Sequence, residues 1–337
     1  MIMGITIRDV ALAAGVSTAT VSRALRGLPN VDEQTRIRVQ RIAAELDYVI
    51  SPSASRLASG RTGSIAVITP YIARWFFSTV IFGVESVLQT AGMDLLLMGV
   101  SNPNALHRLP PAPRLRRRVD GVVVIALPPD DPQLDEVLAL GMPTSLIGVT
   151  RRSVPSVTID DVQAARVATQ HLVNLGHQRI AVIDGNHTSV KFTAEHDRSC
   201  GFTEVMQEAG LEIDPKLEAQ GHFTVAGGEK AMTTLLAQRN RPTAVFAMSD
   251  EMAFGAMRAM RSHGITPGRE ISIIGIDGHD MSELLELTTV AQPVADLGRI
   301  AARALLAQIS AGSIGPAESL LAPTQLVVRG STSPLDS

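Results

Sequence analysis

The chain has 337 residues, which at roughly 150 residues per domain is enough for two or three structural units. Hydrophobic residues make up 45% and charged residues 19%, a balance typical of globular rather than disordered proteins. The single cysteine, Cys200, excludes an intramolecular disulfide framework and a zinc site built on paired cysteines. No apolar run approaches the roughly 18 residues that span a bilayer and no signal peptide is visible, so we expect a soluble cytoplasmic protein without a membrane partner.

The charge is distributed unevenly along the chain. Residues 1–61 contain eight arginines and five acidic residues, which gives this segment a net charge of +3. Because the whole chain has a net charge of −3, the remaining residues carry a net charge of −6. A basic head on an acidic body is typical of a small nucleic-acid-binding module attached to a larger regulatory body.

Residues 6–25 are predicted to form two short helices around a glycine turn. Thr6, with Asp9 three residues later, supplies acceptors that begin the first helix, and Gly15 can adopt the positive φ that ends it. Ser17 is a good N-cap for the second helix. The positions predicted to face inward recur at helical spacing: Val10, Ala11, Ala14, Val21, Ala24 and Leu25.

A third helix is predicted from an N-cap at Asp32 to about Leu46, burying Val39, Ile42 and Ala43. Two short helices, a tight turn and a bracing third helix form the helix-turn-helix plan, in which the second helix enters the major groove of DNA. Residues 1–50 are therefore predicted to be a small all-α DNA-binding head.

The head also resembles a known family. Its residues 6–27, TIRDVALAAGVSTATVSRALRG, are followed by Asn30-Val31, Thr35-Arg36 and Leu46-Asp47-Tyr48. Together these resemble the DNA-binding head of the lactose/galactose repressor (LacI/GalR) family, and the resemblance extends over roughly residues 5–331.

The resemblance implies which head residues meet DNA. It implies that Thr18, Ala19 and Arg23 face base edges. The phosphate contacts that it implies come from Thr6, Ser17, Thr20, Ser22 and Asn30. An arginine on such a face can donate two hydrogen bonds to guanine, and short threonine or alanine side chains offer methyl contacts to thymine.

Residues 51–62 are rich in Ser, Ala and Gly and lack the apolar mass to fold alone. One interpretation is a flexible interdomain linker. The resemblance implies instead a hinge helix that forms on DNA and inserts Leu57 into the minor groove, bending the duplex. Ile50 and Ser55 depart from the proline and arginine common in the family, so the first turn of this helix is less certain than its leucine.

From Ser64 onward, short aliphatic strands alternate with amphipathic helices, the pattern of parallel sheets with crossover helices. The predicted strands are 64–69, 93–98, 121–126, 144–148, 157–160, 179–184, 243–248 and 271–277. The predicted helices include 162–175, 198–209, 228–239, 251–263 and 294–311. No G-x-G-x-x-G follows the first strand and no P-loop pattern occurs, which argues against a nucleotide-binding enzyme.

The resemblance implies that this α/β core consists of two parallel-sheet lobes of the periplasmic-binding-protein-like type I architecture. The N-lobe would comprise about 63–160 and 291–323, and the C-lobe about 161–290 and 324–331, with crossings near Asp160, Thr289 and Thr324. One segment departs from the family: Leu109-Pro110-Pro111-Ala112-Pro113 falls where a crossover helix is usual. Because proline breaks a helix interior, we expect that helix to be shortened to residues after Pro113.

Ligands of such sheets bind at the carboxyl ends of the strands. The residues that the sequence places there are Phe76, Phe77, Asp160, Asp161, Asp250 and Asp277. Several acceptors around a crevice with few aromatics would suit a carbohydrate or nucleoside. The resemblance adds effector contacts at Asp161, Arg198, Phe223, Asp250 and Gln292.

Each of these positions has a structural alternative. Asp161 and Asp250 could instead cap the helices that they precede, and Phe76 and Phe77 could belong to the core or a dimer surface. Trp75 stands where the family usually has a small residue or proline, so we expect it to reshape the pocket mouth. The cluster Asp277-Gly278-His279-Asp280 could hold a metal but is more typical of a hydrogen-bonded turn. Eight scattered histidines and one cysteine offer no nucleophile with a base, so no catalytic residue, metal or cofactor is expected.

The resulting prediction is a homodimeric transcriptional repressor that binds a pseudo-palindromic operator in double-stranded DNA. A small sugar or nucleoside effector between the lobes would shift their closure, and residues 70–88 with the helix after Asp250 would form the dimer faces. The alternative is a solute-binding receptor or a sugar-modifying enzyme with an accidental helical N-terminus. The missing signal peptide argues against the receptor, and the missing phosphate-binding and nucleophile motifs argue against the enzyme.

Overall fold

A computed structural model describes residues 5–25, 27–48, 61–100, 112–185, 192–312 and 318–335. The chain divides into two compact units, Met1–Gly63 and Ser64–Ser337, called here the head and the core. Leu57, Ile50 and Ser55 of the hinge lie outside the described residues, as do Pro110 and Pro111, so the expectations for these residues stay predictions.

Three helices form the head: α1 (Ile7–Ala14), α2 (Thr18–Leu25) and α3 (Glu33–Glu45). The predicted local signals are confirmed. The backbone N–H and the Oγ1 of Thr6 both donate to Asp9 Oδ2 at 2.7 Å, and Gly15 ends α1 at a φ of 64°. Asp32 Oδ1 accepts from the Thr35 backbone N–H at 2.9 Å at the start of α3. These contacts are local in sequence, which is why the sequence predicts them.

The three helices enclose one small apolar core. Its buried members are the predicted inward residues Val10, Ala11, Ala14, Val21, Ala24, Val39 and Ala43. Leu25, Ile42 and Leu46 are half-buried around it. The inward residues leave one side of α2 exposed.

The N-lobe of the core is built on a six-stranded, all-parallel sheet. Its strands are β1 (Ser64–Thr69), β2 (Asp94–Gly99), β3 (Gly121–Ile125), β4 (Thr144–Ile147), β5 (Ser156–Thr158) and β11 (Ser319–Leu321), in the spatial order β11-β5-β4-β3-β1-β2. Its helices are α4 (Trp75–Thr90), α5 (Ala112–Arg116), α6 (Pro132–Leu138) and α12 (Val294–Ala311). The aliphatic run of β3 is fully buried, as expected for a central parallel strand.

The C-lobe repeats this architecture with one antiparallel edge. Its strands are β6 (Ile180–Asp184), β7 (Glu218–Gln220), β8 (Ala244–Ala247), β9 (Ser272–Asp277), β10 (Thr288–Ala291) and β12 (Gln325–Val327), in the order β12-β10-β9-β8-β6-β7. Its helices are α7 (Asp161–Asn174), α8 (Thr193–Glu208), α9 (Val225–Leu236), α10 (Asp250–Ser262) and α11 (Met281–Leu284), with a 3-10 turn at Pro215–Leu217. Only β12 runs antiparallel, pairing with β10.

The chain passes between the two sheets three times, after Thr158, after Ala291 and after Leu321. Thr289, near which a crossing is predicted, pairs with Val327 inside β10, and the chain leaves the sheet two residues later. The helix expected after Pro113 begins at Ala112, which places Pro113 in the first turn, where proline is tolerated.

Two glycines allow α4 and α12 to pack closely in the N-lobe. A Cβ on Gly83 would lie 2.0 Å from the carbonyl oxygen of Ala295, and a Cβ on Gly298 would lie 2.2 Å from that of Val80. This contact holds the start of α12 against the middle of α4, beside the boundary between the lobes. No helix in the described part of the chain is both long and apolar enough to cross a membrane.

Candidate functional site

The head carries one candidate surface on the outward side of α2. Thr18, Ala19 and Arg23, which the resemblance places at base edges, are all exposed there. Ser17, Thr6 and Asn30 are exposed, whereas Thr20 and Ser22 are half-buried. Ser17 Oγ accepts from the Thr20 backbone N–H at 3.1 Å, so this hydroxyl already begins α2. The three base-edge candidates therefore lie exposed on α2, and the contacts of all these residues with DNA stay predictions.

A cavity of about 780 Å³, including its open mouth, lies between the two lobes of the core. The carboxyl ends of strands from both sheets border it, as expected for parallel sheets. Five of the six predicted effector contacts line it: Phe76, Asp161, Arg198, Phe223 and Gln292. Phe77 and Asp277 line it as well.

Arg198 forms the polar centre of the cavity although it is only 5% exposed. Its Nε donates to Asp161 Oδ1 at 2.7 Å, and a terminal nitrogen donates to the Met248 carbonyl oxygen and lies 3.8 Å from Asp277 Oδ1. Gly201 lies about one turn after Arg198 on α8. A Cβ there would lie 2.2 Å from the carbonyl oxygen of Val162 on α7, so this glycine allows the two helices to pack closely beside Arg198. The guanidinium is therefore held by three different elements of the C-lobe.

Asp277 ends β9 on the floor of the cavity with a backbone φ of 138°, a conformation that costs energy for an L-residue. Gln292 Nε2 donates to its Oδ1 at 2.7 Å. Burial raises the pKa of Asp277 to about 8, and the nearby Arg198 opposes this shift. Burial therefore favours the protonated form of Asp277, and Asp161 is the carboxylate that forms the short ion pair with Arg198.

Asp250 is placed differently from the other predicted contacts. It is fully buried beneath the cavity and does not line it. Its carboxylate accepts from the His279 backbone N–H at 2.8 Å, Ser282 Oγ at 2.8 Å and Thr289 Oγ1 at 2.7 Å. These three donors occupy the carboxylate and tie the start of α10 to the segment after β9 and to β10.

The helix-capping alternative for Asp161 and Asp250 is wrong. The N-cap of α7 is Asp160, whose Oδ1 accepts from the Gln163 backbone N–H at 2.8 Å, and the N-cap of α10 is Ser249. Asp161 and Asp250 are each the first helical residue, which points one side chain into the cavity and the other beneath it. Each helix starts one residue earlier than the capping alternative requires. Sequence patterns locate a helix start only to within one or two residues, so they could not decide between capping and these positions.

An aromatic wall faces the polar floor, so the expectation of few aromatics around the crevice was wrong. The rings of Phe76 and Phe77 lie 5.2 Å apart, Phe77 and Phe192 lie 6.1 Å apart, and Phe192 and Phe223 lie 5.8 Å apart. All four rings line the cavity. Phe192 was missed by the sequence reasoning because it stands alone before α8, and only the fold brings it beside Phe77.

Trp75, the residue before Phe76 of the cavity wall, joins the two lobes. Its ring stacks on His279 with centroids 4.4 Å apart and planes 25° apart, and its Nε1 donates to Asp280 Oδ2 at 3.2 Å. The Asp277–Asp280 segment is a hydrogen-bonded turn, and the described residues contain no group of side chains arranged to hold a metal ion. The contact of Trp75 with this turn bridges the lobes beside the effector cavity.

The pair Trp75 and His279 predicts a pH-dependent fluorescence signal. Trp75 is the only tryptophan of the chain, and a protonated imidazole stacked on an indole quenches its emission. Burial lowers the pKa of His279, and the neighbouring Asp250 and Asp280 oppose the shift. We expect emission to fall on acidification with a midpoint below about 6.5, the reference value for histidine.

The control for this titration is a second half-buried histidine. His279→Asn should remove the transition, whereas His171→Asn, on α7, should leave it unchanged although burial lowers the pKa of His171 too. Circular dichroism recorded on the same samples establishes that the fold persists. A titration that survives in His279→Asn would show that the stacked pair does not form.

The comparisons with known proteins agree with this architecture. Residues 6–51 match the bacterial regulatory proteins of the lacI family, and residues 169–332 match the periplasmic binding protein-like domain. The HTH-type transcriptional repressor CytR of Escherichia coli is 34% identical over 333 residues, covering 97% of this chain and 96% of CytR.

Two solved structures resemble the whole chain. The lac repressor dimer bound to operator and the anti-inducer ONPF has a TM-score of 0.85 at 29% identity and covers 98% of this chain and 100% of that chain. The complex of the transcriptional regulator CelR with cellobiose has a TM-score of 0.70 at 32% identity and covers 97% of this chain and 99% of that chain. The predicted fold class, a helix-turn-helix head with a two-lobed periplasmic-binding-protein-like core, is confirmed. The chain therefore belongs to the lacI family of bacterial regulatory proteins, whose members regulate transcription and are not enzymes.

Proposed function

We propose that this protein is a homodimeric transcriptional repressor that acts in the cytoplasm on a pseudo-palindromic operator. An uncharged sugar or nucleoside between the lobes of the core controls it. The observation that carries the proposal is the cavity in which the buried Arg198 and its carboxyl partners face a wall of phenylalanines. The exposed side of α2 supplies the surface for DNA.

The charge balance of the cavity favours an uncharged effector. Arg198 is paired with Asp161, burial raises the pKa of Asp277, and the other two charged residues of the lining, Arg74 and Glu251, are of opposite sign. Ligand hydroxyls can accept from Arg198 and Gln292 and donate to Asp161, while an apolar sugar face or a base packs on Phe76 and Phe223. The cellobiose bound by the relative CelR supports a carbohydrate of this kind.

Exposed apolar side chains support a dimer surface. Phe82 on α4 is 58% exposed and Leu284 on α11 is 73% exposed, and pairing two copies would remove both from water. Phe82 lies within the predicted face 70–88. The predicted C-lobe face is the helix after Asp250, α10, whose exposed side chains are polar, and α11 adds the apolar Leu284. The dimeric lac repressor structure supports this assembly.

The test of the whole proposal is selection of bound sequences from a random duplex pool by ligand-free protein at near-physiological salt, which suppresses non-specific phosphate binding. We expect enrichment of an inverted repeat with a deformable central step. The selection is repeated with cellobiose, ribose and nucleosides to detect an effector that is needed for binding. If a folded dimer enriches no repeat under any of these conditions, the proposal is wrong.

Arg23→Met tests the base-reading role of α2. If Arg23 donates to guanine, its loss should weaken operator binding about 10- to 100-fold per half-site and relax the preference at one base pair. Arg41→Met is the matched control, because Arg41 is exposed on α3 and pairs with Glu45 at 3.6 Å. Binding measured on operators substituted at each position separates the two variants. Equal losses from both, with unchanged sequence preference, would contradict the role of Arg23.

A further inference from the structure

A second cavity lies within the N-lobe, away from the effector cavity. It occupies about 820 Å³, including its open mouth, between α12 and the sheet edge formed by β4, β5 and β11. The residues that border it are entirely different from those of the effector cavity. We call it the α12 groove.

One wall of the groove is a face of α12 made mainly of small side chains. Ala301, Ala304, Ala307 and Ala311 recur at helical spacing, and Ile300 and Gln308 of the same helix also border the groove. Pro155, Val157 and Leu320 form that opposite wall. The space is therefore bounded mainly by aliphatic carbon and suits an apolar molecule.

Two residues that border this groove each carry a buried polar atom with no hydrogen-bond partner among the described residues. Gln308 is 5% exposed; its Nε2 donates to the Thr144 carbonyl oxygen at 3.1 Å, but its Oε1 accepts nothing. Ser145, the residue after Thr144, is 1% exposed and its Oγ is also unpartnered. Ser156 Oγ, by contrast, is bonded to Ser319 Oγ at 2.9 Å. Buried polar groups are normally satisfied, so this unmatched acceptor and hydroxyl indicate a missing partner.

We propose that the α12 groove binds a small uncharged alcohol or phenol. A single ligand hydroxyl can donate to Gln308 Oε1 and accept from the Ser145 hydroxyl, which satisfies both atoms at once. The apolar body of the ligand then packs on the alanine face. A sugar would leave most of its hydroxyls without partners there, and an anion would meet no buried cation and would lie near Glu318 at the rim. The α12 groove therefore differs in specificity from the effector cavity.

The test uses phenol as the probe and the intact protein with isotope-labelled alanine methyl groups. We expect saturable shifts of the Ala301, Ala304, Ala307 and Ala311 methyl signals with phenol. Toluene lacks the hydroxyl and should bind about tenfold more weakly, since it forms neither hydrogen bond, and benzoate should bind no better than toluene. Equal affinity for phenol and toluene, or no saturable shift with phenol, would overturn the proposal.

Two variants locate the site. Ser145→Ala removes only one hydroxyl and should weaken phenol binding while leaving toluene unchanged. Ala304→Met fills the groove and should abolish binding of both. A crystal structure soaked in phenol distinguishes the proposal from simple hydration: water retained between Ser145 and Gln308, with no phenol beside them, would overturn it. None of these readouts depends on an operator or on the effector, so they test the α12 groove separately from the proposed repressor function.

Discussion

Arg198→Met is expected to abolish effector binding and to destabilise the core by about 3–5 kcal/mol, the usual cost of leaving a buried charge without its partner. The arginine side chain is almost fully buried, and Asp161 loses its 2.7 Å ion pair when the guanidinium is removed. The Met248 carbonyl oxygen loses a donor as well. Denaturant unfolding measures the stability, and calorimetric titration against a panel of sugars and nucleosides measures the binding.

Arg166→Met is the matched control for this substitution. Arg166 lies on α7 and bonds Glu204 and Glu208 of α8 at 2.8 Å, but this network is open to solvent, so its loss should destabilise the core far less than the loss of Arg198. Arg198→Lys should fall between the two, because an ammonium keeps the charge but lacks the planar fork that reaches Asp161 and Met248 together. An Arg198→Met protein with wild-type stability and ligand binding would contradict the central role of this residue.

Asp250→Ala is expected to destabilise the core by about 3 kcal/mol or more, because it leaves three buried donors without an acceptor at about 1–3 kcal/mol each. Those donors belong to His279, Ser282 and Thr289. The turn that carries His279 should loosen as a result, and with it the stacking on Trp75. Denaturant unfolding and the emission of Trp75 report these two effects.

Asp250→Asn separates positioning from direct ligand contact. The amide oxygen can keep the bonds from His279 and Ser282, and its NH₂ can donate to the Thr289 hydroxyl, which then serves as acceptor. Burial raises the pKa of Asp250, so a neutral replacement fits this site. We expect nearly wild-type stability and retained effector binding. A stable Asp250→Asn protein that loses effector binding would instead support the direct contact that the family resemblance implies.

Most regular elements of this protein could be predicted from the sequence, because their signals are local. Capping by Thr6 and Asp32, the glycine turn at Gly15 and the spacing of apolar side chains act within a few residues, and the head forms as these predict. The eight predicted core strands are present within one or two residues of their expected ends. The strands β7, β10, β11 and β12 were missed. Three of them, β7, β11 and β12, lie at sheet edges with exposed or half-buried residues, so they lack the buried aliphatic pattern of a central strand.

The identity of most cavity residues was likewise accessible from the sequence, whereas their arrangement was decided by the tertiary structure. Helix starts that differ by one residue from the predicted caps put Asp161 in the cavity and Asp250 beneath it. The rings of the aromatic wall come from three separate segments, and Trp75 meets Asp280 across 205 residues of chain. Such contacts depend on how the sheets stack their strand ends against each other, and no local pattern of side chains carries that information.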